Sequence, residues 1–295
     1  MPLGAAVDGF RLAYDREGAG PPVVLLHGWP SDRRDYREVV PLLAGEADLV
    51  VPDLRGFGSS DRHDRPPAEA YSADAQADSV LGLMDELGFE RPVLVGYDVG
   101  SRVAQTIARR RPDHVRALVL SPPLPGVGER ILSPHSQREF WYQAFHQLPL
   151  AERLLDGKPD AVRAYLSHFW EHWSAEGWAL AADELERLVD IYGAPGAFTA
   201  SVAWYRAASG VVAMSLAERV PAPDERVAVP TTVLWGEEEP AFPLEWADRL
   251  EEFFVDVELR TLPGVGHFAP LEAPRAIADA VRRSIEGHGE MARGS

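Results

Sequence analysis

The chain has 295 residues, of which 46 are Asp or Glu and 29 are Lys or Arg, so its formal net charge is −17. This length allows one large α/β domain or two smaller domains. A negative field of this size disfavours nucleic acid and anionic membrane surfaces as partners, because both carry phosphate groups. Cysteine is absent, which excludes disulfides, thiol nucleophiles and thiolate metal sites.

The beginning of the chain and its apolar segments predict a soluble, cytoplasmic protein. Residues 1–4 lack the basic-then-apolar layout of a signal peptide. Apolar runs stay well below the roughly 20 residues of a membrane span. Lys158 is the only lysine beside many Arg, Ala, Gly and Pro residues, a composition that favours a GC-rich bacterial gene.

Short apolar segments that end in loop residues predict a parallel sheet buried on both faces. After a first strand over residues 10–14, these segments are 23–26, 49–51, 92–95, 117–120, 232–235 and 257–262. Apolar residues at helical spacing predict helices over 73–87, 99–111 and 273–286. The alternation of strands and helices predicts βαβ units and a doubly wound sheet.

The stretch from 126 to 218 differs from the rest of the chain. It shows no clear strand and is rich in Trp and in helix-forming residues. A Pro/Gly-rich hinge over 121–128 precedes it, and Pro221-Ala222-Pro223 follows it. We interpret it as a helical lid, or cap, inserted into one core domain made of residues 1–125 and 219–295.

Residues 93–100 have the spacing of the nucleophile elbow G-x-S-x-G, with Asp98 in the position of Ser. Gly96 and Gly100 allow a tight turn that places residue 98 near a helix N-terminus, where an anion is favoured. An Asp that attacks a saturated carbon forms an ester, which water can hydrolyse, whereas Ser would form a stable ether. This pattern predicts substitution at carbon followed by ester hydrolysis. The alternative is that Asp98 only caps the helix.

The remaining parts of a triad follow in the expected order of nucleophile, acid and histidine. His267 lies in a Gly-containing loop after a strand, where it serves catalysis or is an ordinary surface residue. The acid is expected just after Gly236, where Glu237, Glu238 and Glu239 compete. At least two of these three are solvated loop residues.

A further loop after a strand, His27-Gly28-Trp29-Pro30, has the composition of half an oxyanion hole. It can present the backbone N–H of Trp29 beside that of Val99, and two converging donors stabilise an oxyanion. The alternative is a simple turn, for which Gly28 and Pro30 also suffice.

With these residues in place, the chain resembles the α/β-hydrolase superfamily, in its branch of epoxide hydrolases and haloalkane dehalogenases. The resemblance covers residues 10–285. Its motifs are the 27–30 loop, Asp53-Leu54-Arg55-Gly56-Phe57-Gly58-Ser59-Ser60, the Asp98 elbow, Trp235-Gly236 with the acid, and Gly266-His267. It implies an α/β-hydrolase fold with a helical cap, and the family spacing implies Glu239 as the acid.

The cap segments carry the part of the resemblance that concerns the substrate. Trp204-Tyr205-Arg206 and Trp141-Tyr142-Gln143 resemble the segments that supply two epoxide-activating tyrosines in the family. A phenol can hydrogen-bond the ring oxygen and protonate the departing alkoxide. The alternative is that Tyr142 and Tyr205 are packing residues with their hydroxyls at the surface.

Other aromatic residues are secondary candidates. Tyr165 and Tyr192 also lie in the predicted cap and are the reserve for the tyrosine roles. Trp141, Trp204 and Phe268 neighbour the candidate catalytic residues, so we expect them to contact the substrate.

The resemblance therefore implies a cofactor-independent epoxide hydrolase that forms a vicinal diol through an aspartyl ester. Its partners are a small epoxide and water, with no nucleic acid and no membrane, and a homodimer is left open. The aromatic cap favours an apolar or aryl epoxide.

A haloalkane or haloacid dehalogenase is the alternative enzyme. Haloalkane dehalogenases usually carry Trp after the nucleophile, and fluoroacetate dehalogenases carry Arg; here the residue is Val99. Trp29 also replaces the usual Asn of haloalkane dehalogenases. Arg102 remains as a cation, and residues 147–149 and 152–155 resemble fluoroacetate dehalogenases.

Two further classes are less favoured. The fold can serve a binding protein without activity, but the intact set of nucleophile, acid and histidine argues against this. His168, Glu171 and His172 match H-x-x-E-H without a third ligand. We interpret them as one face of a solvated helix, so no metal is expected.

Overall fold

The computed structural model describes residues 2–287. Within them the chain forms one seven-stranded sheet in the order β1-β3-β2-β4-β5-β6-β7. The strands are β1 (Tyr14–Gly18), β2 (Pro22–Leu26), β3 (Asp48–Pro52), β4 (Val93–Gly96), β5 (Ala117–Leu120), β6 (Thr231–Gly236) and β7 (Val257–Leu262). β1 is antiparallel to β3, and all other neighbouring strands are parallel. The predicted doubly wound, mostly parallel sheet is confirmed.

Helices cover the sheet and form the segment between β5 and β6. The α-helices are α1 (Val40–Leu43), α2 (Pro67–Ala70), α3 (Ala73–Glu86), α4 (Val99–Arg110), α5 (Pro134–Glu139), α6 (Trp141–His146), α7 (Pro149–Leu155), α8 (Pro159–Trp173), α9 (Ala182–Tyr192), α10 (Ala197–Arg206), α11 (Val211–Ala217), α12 (Ala269–Glu272) and α13 (Pro274–Glu286). Short 3₁₀ helices are Arg33–Tyr36, Pro112–His114, Gly128–Leu132, Pro223–Glu225 and Leu244–Glu252. None of the described helices is long and apolar enough to cross a membrane.

The sequence explains where the central elements begin and end. Every residue of β4 is buried, as expected for a strand in the middle of a parallel sheet. The hydroxyl of Ser72 accepts a hydrogen bond from the Ala75 N–H and caps α3. Pro112 follows the end of α4, because proline cannot continue a helix.

Both ends of the predicted strand series differ from expectation. The first strand is Tyr14–Gly18 rather than 10–14, because the residues before it turn back on themselves. The bridge between Val7 and Phe10 closes this turn, and Phe10 is fully buried there. At the other end, β7 is an edge strand with Leu259 41% exposed, so it is not buried on both faces.

Residues 126–218 contain the helix Gly128–Leu132 and the helices α5 to α11, and no strand. The two ends of this segment meet, because the Gly126 N–H donates a hydrogen bond of 2.8 Å to Oε2 of Glu218. The segment therefore leaves the sheet after β5 and returns beside its point of departure. The predicted loose tail, 287–295, lies outside the described residues from 288 onward.

Candidate active site

Asp98 occupies a strained turn between β4 and α4. Its φ of 48° and ψ of −120° are unusual for a residue with a side chain. The turn is possible because glycines stand two residues before and two residues after Asp98. A Cβ at position 96 would lie 2.5 Å from the Gly100 carbonyl carbon, and one at position 100 would lie 2.0 Å from the Leu26 oxygen. Backbone strain at such a position is typical of functional sites.

The carboxylate of Asp98 makes no hydrogen bond that caps α4. Its Oδ1 instead accepts a hydrogen bond of 2.7 Å from the Trp29 N–H. The loop approaches so closely that a Cβ on Gly28 would lie 2.6 Å from Cβ of Asp98. This contact holds the nucleophile candidate in one orientation, and Val99 stands next to it at the beginning of α4.

The side chain of His27 holds the same loop in place through hydrogen bonds. Its Nε2 accepts a hydrogen bond of 3.0 Å from the Leu54 N–H, and its Nδ1 lies 2.9 Å from the Gly28 oxygen. Burial lowers the pKa of His27, so it stays neutral and supports the loop rather than supplying a charge.

Glu239 and His267 form a buried pair on the opposite side of Asp98. Nδ1 of His267 lies 2.6 Å from Oε2 of Glu239, whose Oε1 accepts a 2.9 Å hydrogen bond from the Ala241 N–H. The competing residues Glu237 and Glu238 are exposed. Of the three adjacent glutamates, only Glu239 therefore contacts the histidine.

The two carboxylates control the charge of His267. Burial alone would lower its pKa, but the charges of Glu239 and Asp98 raise it to about 10. Its Nε2 lies 3.7 Å from Oδ2 of Asp98 and has no hydrogen-bond partner among the described residues. The free protein therefore holds an imidazolium between two carboxylates, with one nitrogen facing the nucleophile candidate.

Tyr142 and Tyr205 line one small cavity with Asp98. Both are buried, at 2% and 4% exposure, and their rings are perpendicular at 5.5 Å. Burial raises the pKa of both hydroxyls, so they remain protonated donors. Gln143 donates a hydrogen bond of 3.1 Å to the Tyr142 oxygen, which leaves the phenolic proton for another acceptor.

The cavity is narrow in this structure, with a volume of about 10 Å³, room for about one water. It is lined by Asp98, Val99, Arg102, Pro123, Tyr142, Gln143, Trp204, Tyr205, Ser209, Val211 and Phe242. A larger molecule enters only when lining side chains move. A mainly apolar groove of about 420 Å³ lies beyond Gln143 and Tyr205, which border both spaces.

The reserve tyrosines lie elsewhere. The Tyr165 hydroxyl lies 2.9 Å from Nε2 of His146, and the Tyr192 hydroxyl donates a hydrogen bond of 2.5 Å to the Ser31 oxygen. Neither lines the cavity with Asp98. Within the described part of the chain, each hydroxyl already has a hydrogen-bond partner away from Asp98.

Of the three expected substrate contacts, the structure brings only Trp204 to the cavity. Trp141 is 42% exposed on the outer side of α6, because consecutive helix residues point about 100° apart and Tyr142 takes the inner position. Phe268 is fully buried and stacks on Trp170 at 3.8 Å. Phe268 is therefore not placed to touch a molecule in this cavity, whereas Trp141 lines the neighbouring apolar groove.

Sequence analysis gave no site role to five residues of the cavity wall, which are Pro123, Gln143, Ser209, Val211 and Phe242. Gln143 directly follows Tyr142 in the quoted cap motif, and that adjacency was the available signal. Phe242 lies nearly parallel to the His267 ring at 6.5 Å. Nothing in its local sequence marks it, because the turn after β6 brings it there.

Arg102 is a buried cation in the cavity wall. Its Nη2 donates a 3.2 Å hydrogen bond to the Leu124 oxygen, and its Nε has no partner among residues 2–287. Burial lowers its pKa to about 10, so it is charged at neutral pH. A buried cation without a carboxylate partner is costly, which makes an anion-binding role worth testing.

The histidine pair of α8 has a different environment. The rings of His168 and His172 stack at 5.7 Å, and Nε2 of His172 lies 2.7 Å from Oε2 of Glu139. Across the described residues, no three His, Asp or Glu side chains are grouped so as to hold a metal ion.

The fold and the motif order define an α/β hydrolase. The family described as alpha/beta hydrolase fold matches residues 21–274. The chain belongs to this family.

Relatives include both kinds of enzyme considered above. A soluble epoxide hydrolase from Corynebacterium sp. (strain C12) is 26% identical over 292 residues, 93% of each chain. A fluoroacetate dehalogenase from Burkholderia sp. is 34% identical over 194 residues, 64% of this chain and 63% of that protein. A solved structure of the epoxide hydrolase CorEH without ligand has a TM-score of 0.80 and 26% identity, covering 94% of this chain and 95% of that one.

Proposed function

We propose that the protein is an epoxide hydrolase that converts an epoxide to a vicinal diol through an ester on Asp98. One observation carries this proposal. Two buried, protonated tyrosines line the same cavity as Asp98, which sits in a nucleophile elbow. An epoxide needs a nucleophile at carbon and a proton donor at oxygen, and this cavity offers both.

In the first step, a carboxylate oxygen of Asp98 attacks one oxirane carbon. The new carbon–oxygen bond forms as the ring bond breaks, and the ring oxygen takes a proton from Tyr142 or Tyr205. Trp29 supports this step by fixing the carboxylate through its 2.7 Å hydrogen bond. The product is a hydroxyalkyl ester of Asp98 and a phenolate.

In the second step, the ester is hydrolysed. Ester formation removes the charge of Asp98, so the pKa of His267 falls and the imidazolium releases a proton that restores the phenol. Neutral His267, oriented by Glu239, then takes a proton from water. That water attacks the carbonyl carbon of Asp98, and the N–H groups of Trp29 and Val99 stabilise the oxyanion. Collapse of the intermediate expels the alkoxide, which takes its proton from the hydroxyl that water added to the Asp98 carbon. The diol and the Asp98 carboxylate are thereby freed, and His267 keeps its proton for the next cycle.

We assign residues 126–218 as a helical cap over a core of residues 1–125 and 219–295. The joined ends at Gly126 and Glu218 support this division. The cap supplies Tyr142, Tyr205 and Trp204, the last as a substrate contact. The apolar groove beyond Gln143 is the route by which an apolar substituent reaches the cavity.

The test is a panel of aryl and alkyl epoxides assayed beside haloalkanes and fluoroacetate. Diol formation without halide release supports the proposal. Activity towards none of these compounds would instead favour a binding protein on a hydrolase fold. Asp98→Ala is the matched control, since it removes the nucleophile and keeps the surrounding glycine turn.

A haloacid dehalogenase is the second candidate, and Arg102 is the observation that favours it. A guanidinium without a carboxylate partner in the described structure suits a substrate that carries its own carboxylate. Val99 supplies no side-chain donor for such a group or for a halide. Fluoride or chloride release from a haloacetate, lost in Arg102→Gln, would favour this candidate over the epoxide.

A further inference from the structure

Asp35 is a buried carboxylate to which the proposed mechanism assigns no role. It lies in the short helix Arg33–Tyr36 and is 1% exposed. One oxygen accepts a hydrogen bond from the Ser31 hydroxyl, and the other accepts one of 2.5 Å from the Tyr97 hydroxyl. Among the ion pairs of residues 2–287, none includes Asp35.

Its two partners belong to the two halves of the proposed oxyanion hole. Ser31 follows Trp29 by two residues, so it lies in the loop that presents one N–H donor. Tyr97 directly precedes Asp98, so it lies in the elbow that presents the other donor at Val99. The carboxylate of Asp35 thus connects two chain segments that are 66 positions apart, at residues 31 and 97.

The surroundings leave these segments little freedom. A Cβ on Gly28 would lie 3.0 Å from the Tyr97 ring, which itself packs edge-on against His267 at 5.9 Å. On the far side, Tyr192 donates its 2.5 Å hydrogen bond to the Ser31 oxygen. A shift of the loop relative to the elbow would therefore also disturb the base.

Burying a carboxylate in this position has a cost. Desolvation raises the pKa of Asp35 to about 7, although the hydrogen bonds from Ser31 and Tyr97 oppose it. Replacing buried charged groups by well-packed apolar groups often stabilises a fold. An apolar residue at position 35 could not join the Ser31 loop to the Tyr97 elbow, because it has no acceptor for their hydroxyls. This pair of hydrogen bonds is what distinguishes Asp35 from an apolar residue.

We propose that Asp35 is a positioning residue that holds the Trp29 loop and the Asp98 elbow at the separation required by the oxyanion. Oxyanion donors act at hydrogen-bond distance, so a displacement of a fraction of an ångström weakens them. The inference rests on the proposed aspartyl-ester mechanism, because only ester hydrolysis uses both donors together. Its effect falls on the second step more than on the first.

The experiment compares Asp35→Leu, which removes both acceptors, with Asp35→Asn, which keeps the shape and can bond both hydroxyls. Tyr97→Phe breaks one of the two bonds and serves where Asp35→Leu does not fold. Tyr71→Phe is the control, because within residues 2–287 this buried hydroxyl bonds only to the backbone of His63.

Two rates are measured for each folded variant: amide exchange at Trp29 and Val99, and single-turnover hydrolysis of the ester. In Asp35→Leu and Tyr97→Phe, we expect exchange to rise about tenfold or more. Ester hydrolysis should slow about 10- to 100-fold. This effect is smaller than the loss of about 10²–10³ in rate that follows removal of an oxyanion donor, because the donor is displaced and not removed. Asp35→Asn falls between these variants and the wild type, and Tyr71→Phe matches the wild type.

Wild-type exchange and ester hydrolysis in folded Asp35→Leu or Tyr97→Phe would overturn the inference. If the wild-type protein forms no ester with any epoxide, the proposed function fails by itself. Amide exchange at Trp29 still decides whether Asp35 fixes the loop, because it needs no substrate.

Discussion

Nε2 of His267 lies 3.7 Å from Oδ2 of Asp98, outside hydrogen-bond distance, while Nδ1 of the same ring bonds Glu239 at 2.6 Å. The ring is thus fixed on one side only. A base held this way is free to bind a water that approaches the Asp98 carbonyl carbon. The separation fits a mechanism in which His267 acts after the nucleophile has reacted.

The covalent mechanism predicts the fate of solvent oxygen. In a single turnover in heavy-oxygen water, the label enters the carboxylate of Asp98, because water attacks the ester carbonyl. The first diol released is unlabelled. Peptide mass spectrometry of the segment containing Asp98 measures the incorporation. Label found directly in the first diol would show that water attacks the substrate carbon instead.

Loss of the base should trap the intermediate. His267→Gln should still form the ester but hydrolyse it about 10²–10⁴ times more slowly, the usual contribution of a general base. The mass of the intact protein then rises by one substrate. Asp98→Ala, treated in parallel, should gain no mass. A variant at His267 with normal turnover would contradict the assignment of the base.

The charge of His267 should depend on both carboxylates. Asp98→Asn should lower its pKa below the value of about 10, because one neighbouring negative charge is removed. Glu239→Gln should lower it as well, whereas Glu238→Gln should not, since Glu238 is exposed. NMR titration of the imidazole measures each value. An unchanged pKa in Asp98→Asn would mean that the nucleophile does not set the state of the base.

Activity should fall in acid through the hydrolysis step. A general base acts only when neutral, and the neutral fraction of His267 decreases as pH falls through its pKa. In the ester the charge of Asp98 is absent, so this pKa lies below the value of about 10 in the free protein. The single-turnover rate of ester hydrolysis should therefore decline on the acid side, at a lower pH than the titration of free His267. A decline at the same pH would argue against the influence of Asp98.

The tyrosines should act on the first step. Tyr142→Phe and Tyr205→Phe should each slow alkylation by an epoxide. The single effects should be the smaller ones, because each phenol can partly replace the other. In the double variant the alkylation rate should fall by about 10²–10⁴. Ester hydrolysis should change little. Tyr165→Phe is the control, since its hydroxyl bonds His146 outside the cavity. Pre-steady-state kinetics give the alkylation rate, and a wild-type rate in the double variant would make both tyrosines packing residues.

The doubly wound sheet and the elbow could be predicted from local sequence. Apolar strand segments, stop residues and the glycines around Asp98 act over a few positions, so their pattern survives in the sequence. Predictions of strand bounds and burial were wrong where contacts with other segments decide them. The first strand begins at Tyr14 because the preceding residues pair with each other, and Leu259 is exposed because β7 is an edge.

The sequence by itself determined the fold class and the chain order of the candidate nucleophile, acid and histidine, which follow from short motifs of adjacent residues. The residues alone left Glu237, Glu238 and Glu239 open, and only the family resemblance favoured Glu239. The tertiary structure decided that Glu239 meets His267, which aromatic residues face the cavity, and that Asp35 joins two distant loops. These outcomes depend on contacts between segments far apart in the chain. The position of Phe242 beside His267 and the outward orientation of Trp141 could not be predicted from the neighbouring residues. The direction in which a side chain packs is fixed only when the helices and the sheet come together.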